Sequence, residues 1–168
     1  RVSRSLIYPN VLARHTSFTK EVDEKSRSVC PVGWYSVGEK CIRWTYNNQI
    51  TWWKAYDYCQ HLGAEMVTWR SEGEYITLQF FIKELYSQAG HSEGIAVWTG
   101  ANLPKWSEWK DFFFNNNTMD FVPMDYGWAP GKPDMDRSGD NCVKFFQDGT
   151  LDDFPCNNYD VAPFCQAL

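Results

Sequence analysis

The sequence of 168 residues predicts an α+β domain with two helices, antiparallel strands and a long irregular loop region. A β-hairpin is predicted at residues 30–46, because two runs with alternating apolar residues flank a turn that contains Gly38. Two stretches with apolar residues every three or four positions follow, and each begins with a residue type that commonly caps helices. Short β-type runs then fill the second half, so helices and strands occupy different parts of the chain.

The two helices have local start and stop signals. Thr51 is the predicted N-cap of the first helix, which is expected to end at Gly63. Ser71 and Glu74 have the spacing of a capping box, and they precede a second helix that is predicted to end near Ser87.

The later strands are separated by an unusually long connection. Two β-type runs, Ile95 to Trp98 and Cys142 to Phe146, flank residues 100–141, which are dense in Trp, Asn, Asp, Gly and Pro. Most connections in compact domains are much shorter, and long surface loops commonly carry binding residues. We therefore expect the functional loop region here.

Composition points to an oxidising compartment. An even number of cysteines, six in a chain with 17% aromatic residues, is typical of a disulfide framework in an extracellular protein. No apolar run approaches the roughly 20 residues of a membrane-spanning helix. We expect an extracellular domain, either secreted or part of a membrane protein's ectodomain, with no membrane span in this chain.

Charge is divided between a basic arm and an acidic body. Residues 1–29 carry a net charge of +3, so the other residues carry −8 of the total of −5. The first segment is predicted to be an N-terminal arm or linker, and residues 30–168 to form the domain. No nucleic-acid partner is expected, because a nucleic-acid site needs clustered Lys and Arg. The sequence does not indicate an oligomeric state.

Seven short motifs in this sequence occur in the order that is seen in C-type lectin-like domains. The region 30–168 resembles the long form of that family, which has an N-terminal disulfide hairpin. The resemblance implies the fold predicted above and three disulfides, Cys30–Cys41, Cys59–Cys165 and Cys142–Cys156. The motifs are Cys30-Pro-Val-Gly-Trp34, Thr51-Trp-Trp-Lys-Ala-Tyr-Asp-Tyr-Cys59, Leu62-Gly-Ala-Glu-Met66, Val97-Trp-Thr-Gly100, Trp128-Ala-Pro-Gly-Lys-Pro-Asp134, Asn141-Cys-Val143 and Phe164-Cys165.

The resemblance also implies a candidate calcium site. In sugar-binding members, a Glu-Pro-Asn or Gln-Pro-Asp triplet, a later acid and an Asn-Asp pair bind one calcium ion, which also takes two sugar hydroxyls. The matching residues here are Lys132-Pro133-Asp134, Asp140 and Asp152-Asp153, so the candidate calcium ligands are Asp134, Asp140, Asp152 and Asp153. Lys132 departs from the pattern, because an ammonium offers no oxygen to an ion that needs six to eight of them.

Two arrangements of this acidic cluster compete. Four carboxylates in one pocket repel each other, so a cation is expected among them. If Lys132 points inward, its ammonium takes the place of the metal and no cofactor is required. If Lys132 points to solvent, calcium can bind through the remaining acids. We favour the inward lysine and keep calcium as the alternative.

The loop before this cluster is rich in aromatic residues. Exposed apolar patches often mark interaction sites, so Phe113, Phe121, Tyr126 and Lys132 are candidate ligand contacts. The alternative is that the aromatic residues pack the loop onto the domain.

A separate motif in the loop is an N-glycosylation sequon. It consists of Asn116-Asn117-Thr118. A glycan on Asn116 requires that this part of the loop faces solvent.

The sequence favours recognition over catalysis. The histidines, His15, His61 and His91, have no spacing that pairs them with a nucleophile or a metal, so no enzyme is expected. The leading prediction is a non-enzymatic module that binds a protein ligand without calcium-dependent sugar coordination. The alternatives are a calcium-dependent carbohydrate-binding lectin with altered specificity and a structural protein of a matrix or shell surface, where the acidic face would meet mineral or ice.

Overall fold

The computed structural model describes residues 30–45, 49–89, 96–103, 112–117, 120, 122–123, 125–135 and 141–167. The predicted arm, residues 1–29, lies outside them. Two helices and nine strands are found within the described residues. They are β1 (Tyr35–Val37), β2 (Lys40–Trp44), α1 (Trp52–His61), β3 (Glu65–Met66), α2 (Glu72–Ala89), β4 (Ala96–Leu103), β5 (Phe113–Phe114), β6 (Asn141–Phe145), β7 (Leu151–Pro155), β8 (Val161–Ala162) and β9 (Phe164–Ala167).

The first helix begins and ends where the sequence predicts. The hydroxyl oxygen of Thr51 accepts a hydrogen bond from the Lys54 backbone N–H at 3.4 Å, which satisfies one of the unpaired donors of the first turn of α1. Gly63 follows the end of α1 with a φ of 68°, a left-handed conformation that glycine adopts without steric cost.

The second helix has a modified capping box. Ser71 Oγ accepts from the Glu74 N–H at 3.2 Å, as predicted. The Glu74 carboxylate, however, accepts from the N–H of Arg70 at 3.1 Å instead of that of Ser71. The helix runs to Ala89, slightly beyond the predicted end.

The strands form two sheets. The first has the order β1-β2-β9-β3, and the second has the order β5-β4-β6-β7, with β8 pairing in parallel with β4. All other pairs are antiparallel, so the predicted α+β class is confirmed. Disulfides join Cys30 to Cys41, Cys59 to Cys165 and Cys142 to Cys156, which are the pairs that the resemblance implies.

The core is largely aromatic. Its larger part packs α2 against both sheets and contains the fully buried side chains of Trp69, Phe112, Phe114, Phe145 and Phe164. A second buried cluster surrounds α1 and includes Trp52, Trp98 and two of the disulfides. In the described part of the chain, neither helix is long and apolar enough to cross a membrane.

Candidate functional site

The segment at residues 127–135 is tied to the start of β7. Ala129 N–H donates to the Leu151 carbonyl at 2.9 Å, and Leu151 N–H donates to the Gly127 carbonyl at 2.7 Å. Lys132 N–H closes a turn by donating to the Ala129 carbonyl at 2.9 Å, and the Lys132-Pro133 peptide bond is cis. These bonds place Lys132 beside the acidic residues of β7.

Lys132 points into the acidic cluster. Its Nζ lies 2.6 Å from Asp134 Oδ2, 3.0 Å from Asp152 Oδ1 and 4.0 Å from Asp153 Oδ1. Asp152 and Asp153 are 4% and 2% exposed, so their charges are shielded from water and need a nearby cation. The ammonium of Lys132 provides one.

Asp153 fixes the backbone of the same segment. Its Oδ1 accepts from the Asp134 N–H at 3.0 Å, and its Oδ2 accepts from the Met135 N–H at 2.8 Å. Charge-assisted bonds of this kind are roughly twice as strong as neutral ones. Both carboxylate oxygens of Asp153 therefore hold the shape of the segment.

A second lysine reaches Asp152 from the neighbouring strand. Lys144 lies opposite Asp152 in the pairing of β6 with β7, and its Nζ is 3.5 Å from Asp152 Oδ2. The same ammonium lies 3.3 Å from the centre of the Phe154 ring, in the geometry of a cation–π contact. Asp152 thus lies between two cations. Sequence reasoning did not identify Lys144, although the period of two in β6 relates it to Cys142.

The electrostatics of the cluster stabilise the charged form of Lys132. Partial burial alone would lower the pKa of Lys132, but hydrogen bonds to Asp134 and Asp152 and their negative charges outweigh it. The pKa of Lys132 is consequently raised above its ordinary value, and the side chain is an ammonium at neutral pH.

The side chain of Tyr75 contacts the backbone at Gly127, where the segment begins. Its hydroxyl lies 3.1 Å from the Gly127 carbonyl oxygen and 2.6 Å from that of Gly149. A Cβ atom on residue 127 would lie 2.7 Å from the Tyr75 ring, so the backbone can approach the ring this closely only at glycine. Burial and the charge of Asp148 raise the pKa of Tyr75 to about 12.

The structure brings together only part of the predicted calcium set. Asp134, Asp152 and Asp153 surround Lys132, whereas Asp140 lies outside the described residues. Among the residues with a described placement, no group of three or more His, Cys, Asp or Glu side chains is arranged to hold a metal ion.

The structure describes two of the aromatic ligand candidates, Phe113 and Tyr126, and neither is an exposed side chain. Phe113 is 6% exposed in β5 and its two neighbours are fully buried, so these side chains pack the loop onto the domain, and Phe113 is not an exposed ligand contact. The ring of Tyr126 is partly buried and packs against Tyr75 at 5.6 Å between centroids. Phe121 lies outside the described residues.

The fold and this site together define a disulfide-linked domain with a loop fixed beside its second sheet. Residues 48–165, well over half of the chain, match the model of the lectin C-type domain. The chain therefore belongs to the C-type lectin domain family, whose members are in general non-enzymatic recognition modules.

Three similar proteins illustrate the range of this family. The chain is 28% identical over 134 residues to C-type lectin domain family 10 member A of Homo sapiens. The matched region covers 76% of this chain and 37% of that protein. The chain thus spans little more than a third of that relative.

Two solved structures share the fold. The cow C-type carbohydrate-recognition domain of CD23, in the presence of a GlcNAc2Man3 oligosaccharide, has a TM-score of 0.63 and 25% identity, covering 83% of this chain and 96% of that one. A calcium-independent type II antifreeze protein has a TM-score of 0.61 and 27% identity, with coverage of 83% and 94%.

Proposed function

We propose that this chain is an extracellular, non-enzymatic recognition module that binds a protein ligand without coordinating a sugar through calcium. The observation that carries this proposal is the position of Lys132 Nζ, 2.6 Å from Asp134 and 3.0 Å from Asp152. The three disulfides favour an extracellular location, either secreted or within an ectodomain.

Five carboxylate oxygens of Asp134, Asp152 and Asp153 are already engaged. Asp134 Oδ2 and Asp152 Oδ1 bind Lys132, Asp152 Oδ2 faces Lys144, and both oxygens of Asp153 accept backbone N–H groups. Calcium needs six to eight oxygen ligands and would have to displace two ammonium groups. The ion-pair network among these described residues therefore takes over the structural task of a metal, and we do not expect sugar hydroxyls to be coordinated through calcium at these carboxylates.

Thermal unfolding in millimolar calcium and in excess chelator tests the proposal. We expect the same midpoint in both conditions. A calcium site occupied at about a hundred times its dissociation constant would add about 2.7 kcal/mol to the free energy of unfolding. A midpoint that rises with calcium would contradict the proposal.

A matched pair of variants makes this test specific. Lys132→Glu replaces the ammonium with carboxylate oxygens, so we expect this variant to be less stable in chelator and to regain stability in calcium. Lys54→Glu makes the same charge change at an exposed position of α1 and should show no response to calcium. If Lys132→Glu also fails to respond, the lysine is not what excludes the ion.

Two alternatives have separate signatures. Sugar competition that disappears in chelator would identify a calcium-dependent lectin with altered specificity. The structural role at a mineral or ice surface has some support from the likeness to a calcium-independent type II antifreeze protein. Ice or mineral adsorption without a soluble partner would identify that role.

A further inference from the structure

The three disulfides of this domain differ in how open they are to solvent. Two of them lie in the buried cluster around α1, and their four cysteines are at most 4% exposed. In the third, Cys41 is 6% exposed, whereas Cys30 is only half-buried. We propose that Cys30–Cys41 is an exchangeable disulfide, at which a small external thiol attacks Cys30 and becomes bound there while the domain stays folded. This inference does not depend on the function proposed above.

The residues after Cys30 run along the surface. Pro31, Val32 and Gly33 are exposed, and Val32 is 97% exposed. The rate of thiol–disulfide exchange depends on access, because the attacking thiolate must reach one of the two sulfurs. Cys30 is therefore the sulfur that an external thiol reaches first, and Cys41 carries the leaving sulfur.

A positive charge lies near the leaving sulfur. Arg43 follows Cys41 by two residues in β2, so both side chains project from the same face of the sheet. The guanidinium of Arg43 also lies beside the segment that follows Cys30, because a Cβ atom on Gly33 would be 3.8 Å from Arg43 Nη1. A neighbouring arginine stabilises a thiolate. Arg43 should therefore make Cys41 a better leaving group.

The small thiol is the reductant in this exchange. Its thiolate forms a bond to Cys30 Sγ, the bond between Cys30 Sγ and Cys41 Sγ breaks, and the electron pair of that bond leaves on Cys41 Sγ. A second molecule of the small thiol can then attack the outer sulfur of the mixed disulfide and release Cys30 as a thiolate. At the end of both steps the two cysteines are reduced and the two small thiols are joined as their oxidised dimer.

The hairpin has other attachments that should survive the exchange. β2 is hydrogen-bonded to β1 on one side and to β9 on the other. Ile42 of β2 is fully buried in the core, and Trp34 packs against the cluster around α1. Opening the disulfide should therefore release residues 30–33 alone. The exchange would control how firmly the start of the domain is attached to β2.

Differential alkylation of the whole native chain tests the exchange. The chain is incubated with increasing glutathione, free thiols are blocked with iodoacetamide, and peptide mapping locates both modifications. We expect glutathione on Cys30 and the alkyl group on Cys41, at a glutathione concentration about tenfold below the one that opens either buried disulfide. Far-UV circular dichroism should not change. Simultaneous opening of all three disulfides, or glutathione mainly on Cys41, would overturn the proposal.

A matched pair of arginine variants tests the role of Arg43. Arg43→Gln should slow the opening of Cys30–Cys41 several-fold, because the leaving thiolate loses its neighbouring cation. Arg70→Gln removes the same charge from a half-exposed arginine that pairs with Asp120, and it should open at the wild-type rate. Equal rates for Arg43→Gln and the wild type would refute the role of Arg43. Neither calcium nor a partner enters these measurements, so their failure is distinguishable from a failure of the proposed function.

Discussion

The scaffold and the lysine segment of this domain are held in place by different forces. In the scaffold, buried aromatic and aliphatic side chains pack α2 against two sheets, and the Cys59–Cys165 disulfide links α1 to β9. At residues 127–135, Trp128 and Met135 also pack against the core, but backbone hydrogen bonds and a lysine–aspartate network fix the path of the chain. Apolar burial is non-directional and contributes most to stability, whereas hydrogen bonds and ion pairs specify geometry. Changes in the scaffold should therefore lower global stability, and changes in the segment should act locally.

The largest expected effect comes from the scaffold. Replacing Cys59 and Cys165 with alanine opens a link with a sequence separation of 106, for which loop-closure entropy predicts a loss of about 4.7 kcal/mol. Denaturant unfolding measures the loss. Replacing Cys30 and Cys41, with a separation of 11, is the control and should cost about 3 kcal/mol or less. Equal losses for the two pairs would contradict the entropic explanation.

An intermediate effect is expected at Asp153. Asp153→Ala removes the acceptor for two backbone N–H groups and should cost about 3 kcal/mol, since a hydrogen bond to a charged group contributes about 1.5–3 kcal/mol. Hydrogen exchange should accelerate at the amides of residues 134 and 135 before the strands of the first sheet respond. Asp153→Asn keeps one side-chain acceptor, so its free energy of unfolding should lie between those of the wild type and Asp153→Ala. If exchange accelerates equally at residues 134 and 135 and in the strands of the first sheet, the segment and the scaffold unfold together.

The smallest effect is expected at Tyr75, where the two regions meet. Tyr75→Phe removes the hydroxyl whose single proton lies between the carbonyl oxygens of Gly149 and Gly127, and it should cost about 1 kcal/mol at neutral pH. The folded-state pKa of Tyr75, about 12, exceeds the ordinary value of about 10, so the wild type should lose stability as the pH rises between these values. Unfolding midpoints against pH for wild type and Tyr75→Phe measure this loss.

A control at an exposed tyrosine separates this effect from general alkaline unfolding. Tyr159 is 61% exposed, so Tyr159→Phe should follow the wild-type curve. A Tyr75→Phe curve that loses stability as steeply as the wild type would refute the assignment.

The elements that could be predicted from the sequence are those with local causes. The cap at Thr51 and the capping residues before α2 depend on neighbours within four positions, and the structure contains both. The motif order identified the fold, because those motifs reflect fixed positions in one architecture.

The features that could not be predicted depend on distant residues. Phe113 belongs to a run of three phenylalanines, and such a run does not indicate whether its side chains are buried or exposed. The pairing of Phe113 with Asn102 of β4 places it in the core. The orientation of Lys132 depends on β7, which lies about twenty residues later in the chain. Lys144 joins the cluster through strand register, which the sequence alone does not specify.

The two hydrogen bonds of Asp153 have a practical consequence. This carboxylate binds peptide N–H groups, which every residue except proline possesses, so its hold on residues 134 and 135 requires no particular side chain there. The side chains add constraints of their own, because Asp134 pairs with Lys132 and Met135, with a φ of 46°, packs against the core. Proline is the one residue that this anchor excludes outright at either position, because it has no N–H for Asp153 to bind.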